Sequence, residues 1–89
     1  MNAVVTVIGE DKVGIIANIS KILLDYNVNI LDINQTIMQD FFTMIMMVEI
    51  SKMSSEFDEL SKVLEECGVK MELQVKIQHE DIFNSMHRI

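Results

Sequence analysis

The chain has 89 residues, enough for one domain, since domains cluster at roughly 100–150 residues. Hydrophobic residues make up 49%, proline is absent and glycine occurs three times, so neither a disordered tract nor a flexible linker is expected. Fourteen acidic against seven basic residues give a formal charge of −7; that field repels nucleic acid and anionic lipid, whose binding rests on Lys and Arg.

Ala3 to Ile8 is a β-branched run stopped by Gly9, the pattern of a strand buried on both faces. Gly9 to Gly14 (Gly-Glu-Asp-Lys-Val-Gly) reads as a tight loop. From Ile15 to Tyr26, the residues Ile16, Ile19, Leu23 and Tyr26 recur three or four apart and predict a helix. Asn27 is its expected stop, because asparagine tolerates the left-handed conformation. Val28 to Met38 alternates imperfectly: Leu31, Ile33 and Ile37 share parity with Asn29 and Gln35, and a bulge in this strand would account for it. Gln39-Asp40 then separates it from Phe41 to Ile50, so the two form a hairpin. In the later strand Phe42, Met44, Met46, Val48 and Ile50 make one apolar face, while Phe41, Ile45 and Met47 stand on the other. Ser54 or Ser55 is the expected cap of a second helix with the stripe Phe57, Leu60, Leu64 and Cys67, and Gly68 its expected terminator. Val69, Met71, Leu73, Val75 and Ile77 alternate with polar residues as a last strand with one wet face.

Strand, helix, strand, strand, helix, strand is the split β-α-β order. The fold expected is α+β: a ferredoxin-like βαββαβ sandwich over residues 1–78, with a four-stranded antiparallel sheet, its first and third strands central, and two helices on one face. Residues 79–89 form a C-terminal tail. In it Ile82, Phe83, Met86 and Ile89 fall at helical spacing. The open sheet face would otherwise expose Phe41, Ile45 and Met47, which is a liability. The tail is therefore expected to be a helix packed on that face, of its own subunit or a partner's.

No catalytic set converges. None of the serines lies in a Gly-x-Ser-x-Gly elbow, and Cys67 on the apolar stripe reads as an inert thiol. His79 and His87 lie about two turns apart if the tail is one helix, too far to clasp one metal together; with Glu80 and Asp81 a weak metal site stays open, beside plain helix-end histidines. No enzyme, cofactor or metal is expected. One cysteine, eight methionines, the absence of a 20-residue apolar run and of a signal-like start all point to the cytoplasm.

The loop Gly9 to Gly14 is the segment with a functional look. It leads from a central strand to a helix start, where N–H groups lack partners and the helix dipole favours an anion. Glu10 and Asp11 would repel a phosphate, so a carboxylate that carries its own ammonium fits better. A purely structural alternative stays open: Asp11 caps the helix and Gly14 relieves crowding against the sheet.

Gly9-Glu10-Asp11-Lys12-Val13-Gly14-Ile15-Ile16, followed by Tyr26-Asn27-Val28-Asn29-Ile30, resembles the ACT domain, with its strand, Gly-x-Asp-x-x-Gly-hydrophobic, helix and Val-Asn-Ile. The ending Gln78 to Ile89 is similar to the tail of small stand-alone ACT proteins, themselves similar to ACT modules of the glycine cleavage transcriptional repressor and of formyltetrahydrofolate deformylase. That resemblance implies a ligand-sensing, non-catalytic module, dimeric, binding an amino acid or similar small metabolite at the subunit interface. It nominates Asp11, Lys12, Val13, Gly14 and Ile15 with Asn29 and Ile30. Asp11 would take the ligand ammonium, the N–H groups of Gly14 and Ile15 its carboxylate, and Asn29 its polar atoms across the interface. Many relatives carry proline where Val13 stands. With no enzyme or DNA-binding domain attached, regulation would act on a separate partner in trans. The competing expectation is an assembly module whose sheet edge and tail bind another chain and whose loop holds nothing.

Overall fold

The computed structural model describes residues 1–86. Its elements are β1 (Asn2–Glu10), α1 (Ile15–Asp25), β2 (Asn29–Met38), β3 (Phe41–Glu49), α2 (Phe57–Met71), β4 (Leu73–His79) and α3 (Glu80–Met86). One antiparallel sheet has the order β2-β3-β1-β4, which puts the first and third strands in the middle, as expected. Ala3, Val5 and Val7 of β1 pair with Val48, Met46 and Met44 of β3. This row, with Leu73, Val75 and Ile77 of β4, packs against Ile15, Ile19 and Leu23 of α1 and Leu60 and Leu64 of α2. Each such side chain fully withdrawn from water contributes about 1.5–3 kcal/mol, so this layer holds the fold together. Val4 is also buried on the opposite face, in keeping with a central strand covered on both sides.

The irregularity of β2 is a bulge: its register to β3 shifts between Ile30 and Asp32, leaving Leu31 as the extra residue. Gln39, at φ 57, makes the hairpin turn. Helix α1 ends in a Schellman arrangement, with Asn27 at φ 58, Asn27 N–H donating to Leu24 O at 3.0 Å and Val28 N–H to Leu23 O at 2.8 Å.

Four local expectations are corrected. Gly9 does not stop β1; it is paired in the strand opposite Phe42 and Leu73, where a Cβ would come within 2.5 Å of Leu73 Cδ2. Neither Ser54 nor Ser55 caps α2, whose N-cap is Glu56 without a side-chain hydrogen bond. Gly68 does not end α2. The helix runs on to Met71 and turns at Glu72, φ 58, so Val69 is 77% exposed on the helix rather than in a strand. His79 belongs to β4, not to the tail helix, and its ring stacks on Phe57 with centroids 4.1 Å apart.

Helix α3 lies against β1 and β4, and Gln78 Nε2 donates to Met86 Sδ at 3.0 Å. Phe83 is half-buried, while Ile82 and Met86 remain exposed. His87 and Ile89, part of the expected tail pattern, lie outside the described residues. No helix among the described residues is long and apolar enough to cross a membrane.

Candidate functional site

The loop after β1 is held at three points. The Asp11 N–H donates to Asp40 O in the β2–β3 turn at 2.7 Å. Lys12 Nζ donates to Met71 O in the last turn of α2, where a cation suits the negative end of the helix dipole. Gly14 is the N-cap of α1 in the left-handed region, φ 90 and ψ 4, a conformation an L side chain adopts only at a cost. Its carbonyl accepts from Asn18 N at 3.0 Å and from Asn18 Nδ2 at 2.8 Å.

Asp11 therefore is not the helix cap, and no side chain caps α1 at all. The first-turn N–H groups of a helix have no carbonyl one turn back, so this end keeps its donors for another acceptor. A Cβ on Gly14 would meet only Asn18 Nδ2, at 3.3 Å. Backbone conformation, not crowding against the sheet, demands glycine there.

The nominated side chains take different roles once placed. Val13 is 99% exposed and Ile15 only 2%, so Ile15 can offer a ligand its N–H and nothing else. Ile30 packs against the core. The Lys12 ammonium is engaged on α2. Asp11 stays on the loop that leads into α1 and is tied to Asp40 through its N–H. The neighbouring cavity of about 440 Å³ is lined by Glu10, Met38, Gln39, Asp40 and Phe41, and by none of the nominated residues. Sequence reasoning missed Asp40, which becomes a neighbour only through the hairpin register.

Asn29 is not brought to this end. It faces Glu49, which faces Asn2, whereas Met38 faces Phe41, which faces Glu10. The length of β1, about 25 Å, separates Asn29 from the loop within one chain. At its own end Asn29 lines a cavity of about 480 Å³ with Leu24, Asn27, Glu49, Ser51 and Lys52. Asn27 Nδ2 donates to Lys52 O at 2.7 Å. The Ser51 hydroxyl and N–H, then the N-terminal ammonium, hold the Glu49 carboxyl down at about 2. Burial raises the half-buried Cys67 thiol above its usual range, so little nucleophilic thiolate forms at neutral pH. Among the described residues no three His, Cys, Asp or Glu side chains converge as metal ligands.

With this geometry in hand, comparison with known proteins is informative. The sequence profile of one family, the ACT domain, matches residues 2–78. A UPF0237 protein of Clostridium perfringens is 55% identical over all 89 residues and over the whole of that relative. The solved structure of an ACT domain protein from Streptococcus pneumoniae is 36% identical, with a TM-score of 0.80 and 93% of each chain covered. A crystal structure of a putative glycine cleavage system transcriptional repressor shares the fold at 20% identity and TM-score 0.72, over 86% of this chain and 44% of that one.

Proposed function

The chain belongs to the ACT domain family, and from that premise we propose that it is a non-catalytic regulatory module, a homodimer that binds a free α-amino acid or a close analogue at its interface and modulates a partner protein in trans. The observation that carries this reading is the uncapped start of α1 on the loop that carries Glu10 and Asp11, with Asp40 tied to Asp11 through the backbone. A zwitterion matches it: the ammonium meets carboxylates and the carboxylate meets first-turn N–H groups and the positive end of the helix dipole. Asp11 is the ammonium partner, Gly14 and Ile15 supply backbone donors, and Lys12 positions the loop.

Asn29 enters from the second copy. Strand β2 is an edge of the sheet, with Leu31, Ile33 and Ile37 exposed by 50%, 40% and 52%. An open apolar edge is a pairing template. Antiparallel pairing of β2 with its own copy covers these side chains and sets Asn29 of each chain near Met38 of the other. Met38 marks the loop end of the sheet, so each site takes its loop from one chain and Asn29 from the second. Ligand bound across the interface then shifts only those states to which it binds unequally, which is how it signals.

Thermal-shift screening of the full chain against the proteinogenic amino acids tests this. A ligand at about 100 times its Kd adds about 2.7 kcal/mol, roughly 10–20 °C for a chain of this size. Asp11→Ala and Asn29→Ala should each abolish the shift while the ligand-free melting temperature barely moves. Mixing the two variants in equal amounts should restore about a quarter of the sites, because about half of the dimers are then mixed and one of the two sites in each mixed dimer keeps both residues. Silence across the panel would favour the assembly module; loss of binding with no rescue on mixing would sink the shared site.

A further inference from the structure

The sheet face opposite α1 and α2 carries a second groove, of about 370 Å³, within the lower range of small-molecule sites. Its floor is set by strand register. Ile45, Thr6 and Lys76 stand side by side across β3, β1 and β4, and Thr43, Ile8 and Gln74 form the next row. Its wall is α3, which contributes Phe83 and Met86. The Gln78 to Met86 hydrogen bond, 3.0 Å, fastens that wall to β4.

The polarity of the groove is one-sided. Ile8, Ile45, Phe83 and Met86 give it an apolar flank. Lys76 is the one charged side chain among the described residues lining it, with Thr6 beside it and Gln74 and Gln78 two residues either way on the same strand face. Among the described residues no carboxylate pairs with Lys76; the ion pairs are Met1–Glu49 and Lys21–Asp25. In a chain with twice as many acids as bases, an unpaired ammonium in an apolar groove selects an anion. Among the described residues no acid lines this groove to receive an ammonium, so it does not match the zwitterion suited to the loop after β1.

We propose that the groove beneath α3 binds a small monocarboxylate with an apolar body. The carboxylate accepts from Lys76 Nζ and the Thr6 hydroxyl, and the body lies between Ile8 and Ile45 on the floor and Phe83 and Met86 on the wall. Charge-assisted hydrogen bonding fixes the head, and removal of apolar surface from water holds the rest.

The test uses the full chain labelled with ¹³C at the methionine methyls, the Met86 signal assigned by Met86→Leu. Hexanoate should shift the Met86 methyl saturably and leave Met53, on the helix side of the sheet, unmoved. Acetate, which lacks the body, and 1-hexanol, which lacks the charge, should both bind far more weakly. Lys76→Gln should raise the hexanoate Kd about tenfold or more, the scale of a hydrogen bond to a charged group, and Lys76→Arg should largely preserve it. Lys76 is exposed, so neither change should alter the melting temperature. The proposal is overturned if 1-hexanol binds as tightly as hexanoate, if Lys76→Gln leaves the affinity unchanged, or if millimolar hexanoate leaves Met86 still. Asp11→Ala and Asn29→Ala leave this groove intact, so failure of the amino-acid reading is measured separately.

Discussion

Replacing Gly14 distinguishes two physical reasons for a glycine at the start of α1. If the reason is conformation, φ 90 costs an alanine about 1–2 kcal/mol. Asparagine, which enters the left-handed region several-fold more readily, should lose less, below about 1 kcal/mol. If the reason is space, the order reverses, because asparagine is larger than alanine. Space is a small term here. The one atom a new Cβ would approach is Asn18 Nδ2, 3.3 Å away at the end of an exposed side chain. The expected order of stability is therefore glycine, asparagine, alanine, then valine. Urea unfolding followed by far-ultraviolet circular dichroism at one protein concentration measures it, since the chain has no tryptophan and dimer stability depends on concentration. With an m-value of about 2 kcal/mol/M, Gly14→Ala should lower the midpoint by about 0.5–1 M. An asparagine variant less stable than the alanine variant would refute the conformational argument.

Gly68→Ala reverses the usual rule for helices. An exposed helical glycine gains about 1 kcal/mol on becoming alanine, but here the Cβ would sit 2.8 Å from Leu73 O and 2.9 Å from Val75 Cγ2, and overpacking costs about 1–3 kcal/mol. A net loss of about 1 kcal/mol is expected in the same unfolding assay, and a gain would show that β4 yields freely. Glu49 makes stability depend on pH. Its carboxyl, lowered from 4.5 to about 2 in the fold by Ser51 and the N-terminal ammonium, stabilises above pH 4.5, and that contribution is lost as pH falls toward 2. Glu49→Gln should flatten this part of the stability profile, and Ser51→Ala should shrink it; identical acid profiles for all three proteins would contradict the assignment.

The alternation of β3 disclosed both of its faces, because a side-chain period of two survives any tertiary context. The apolar stripe of α1 was legible at Ile19 and Leu23 from its helical spacing, though Ile15 and not Ile16 is its buried first member, and the stop at Asn27 was legible too. The junction between α2 and β4 was not. Val69 and Met71 satisfy a strand's alternation as well as a helix's last turn. What settled it was the close packing of Gly68 on Leu73 and Val75, a contact no local pattern contains. Glycine there is a matter of room, whereas at Gly14 it is a matter of φ, and composition cannot tell the two apart.

The same division runs through the candidate site. Gly14 ahead of an apolar helix announced a loop with free donors. That Asp40 stands beside it, and that Lys12 is drawn away onto α2, follows from hairpin register and helix length. By itself the sequence determined the order of the elements, the faces that seek the core and the loop that could grip an anion, since each is written in spacings of a few residues. Tertiary structure alone decided that Asn29 lies a strand's length from that loop, and that α3 leaves a groove with one cation, because both depend on which distant segments the sheet sets side by side.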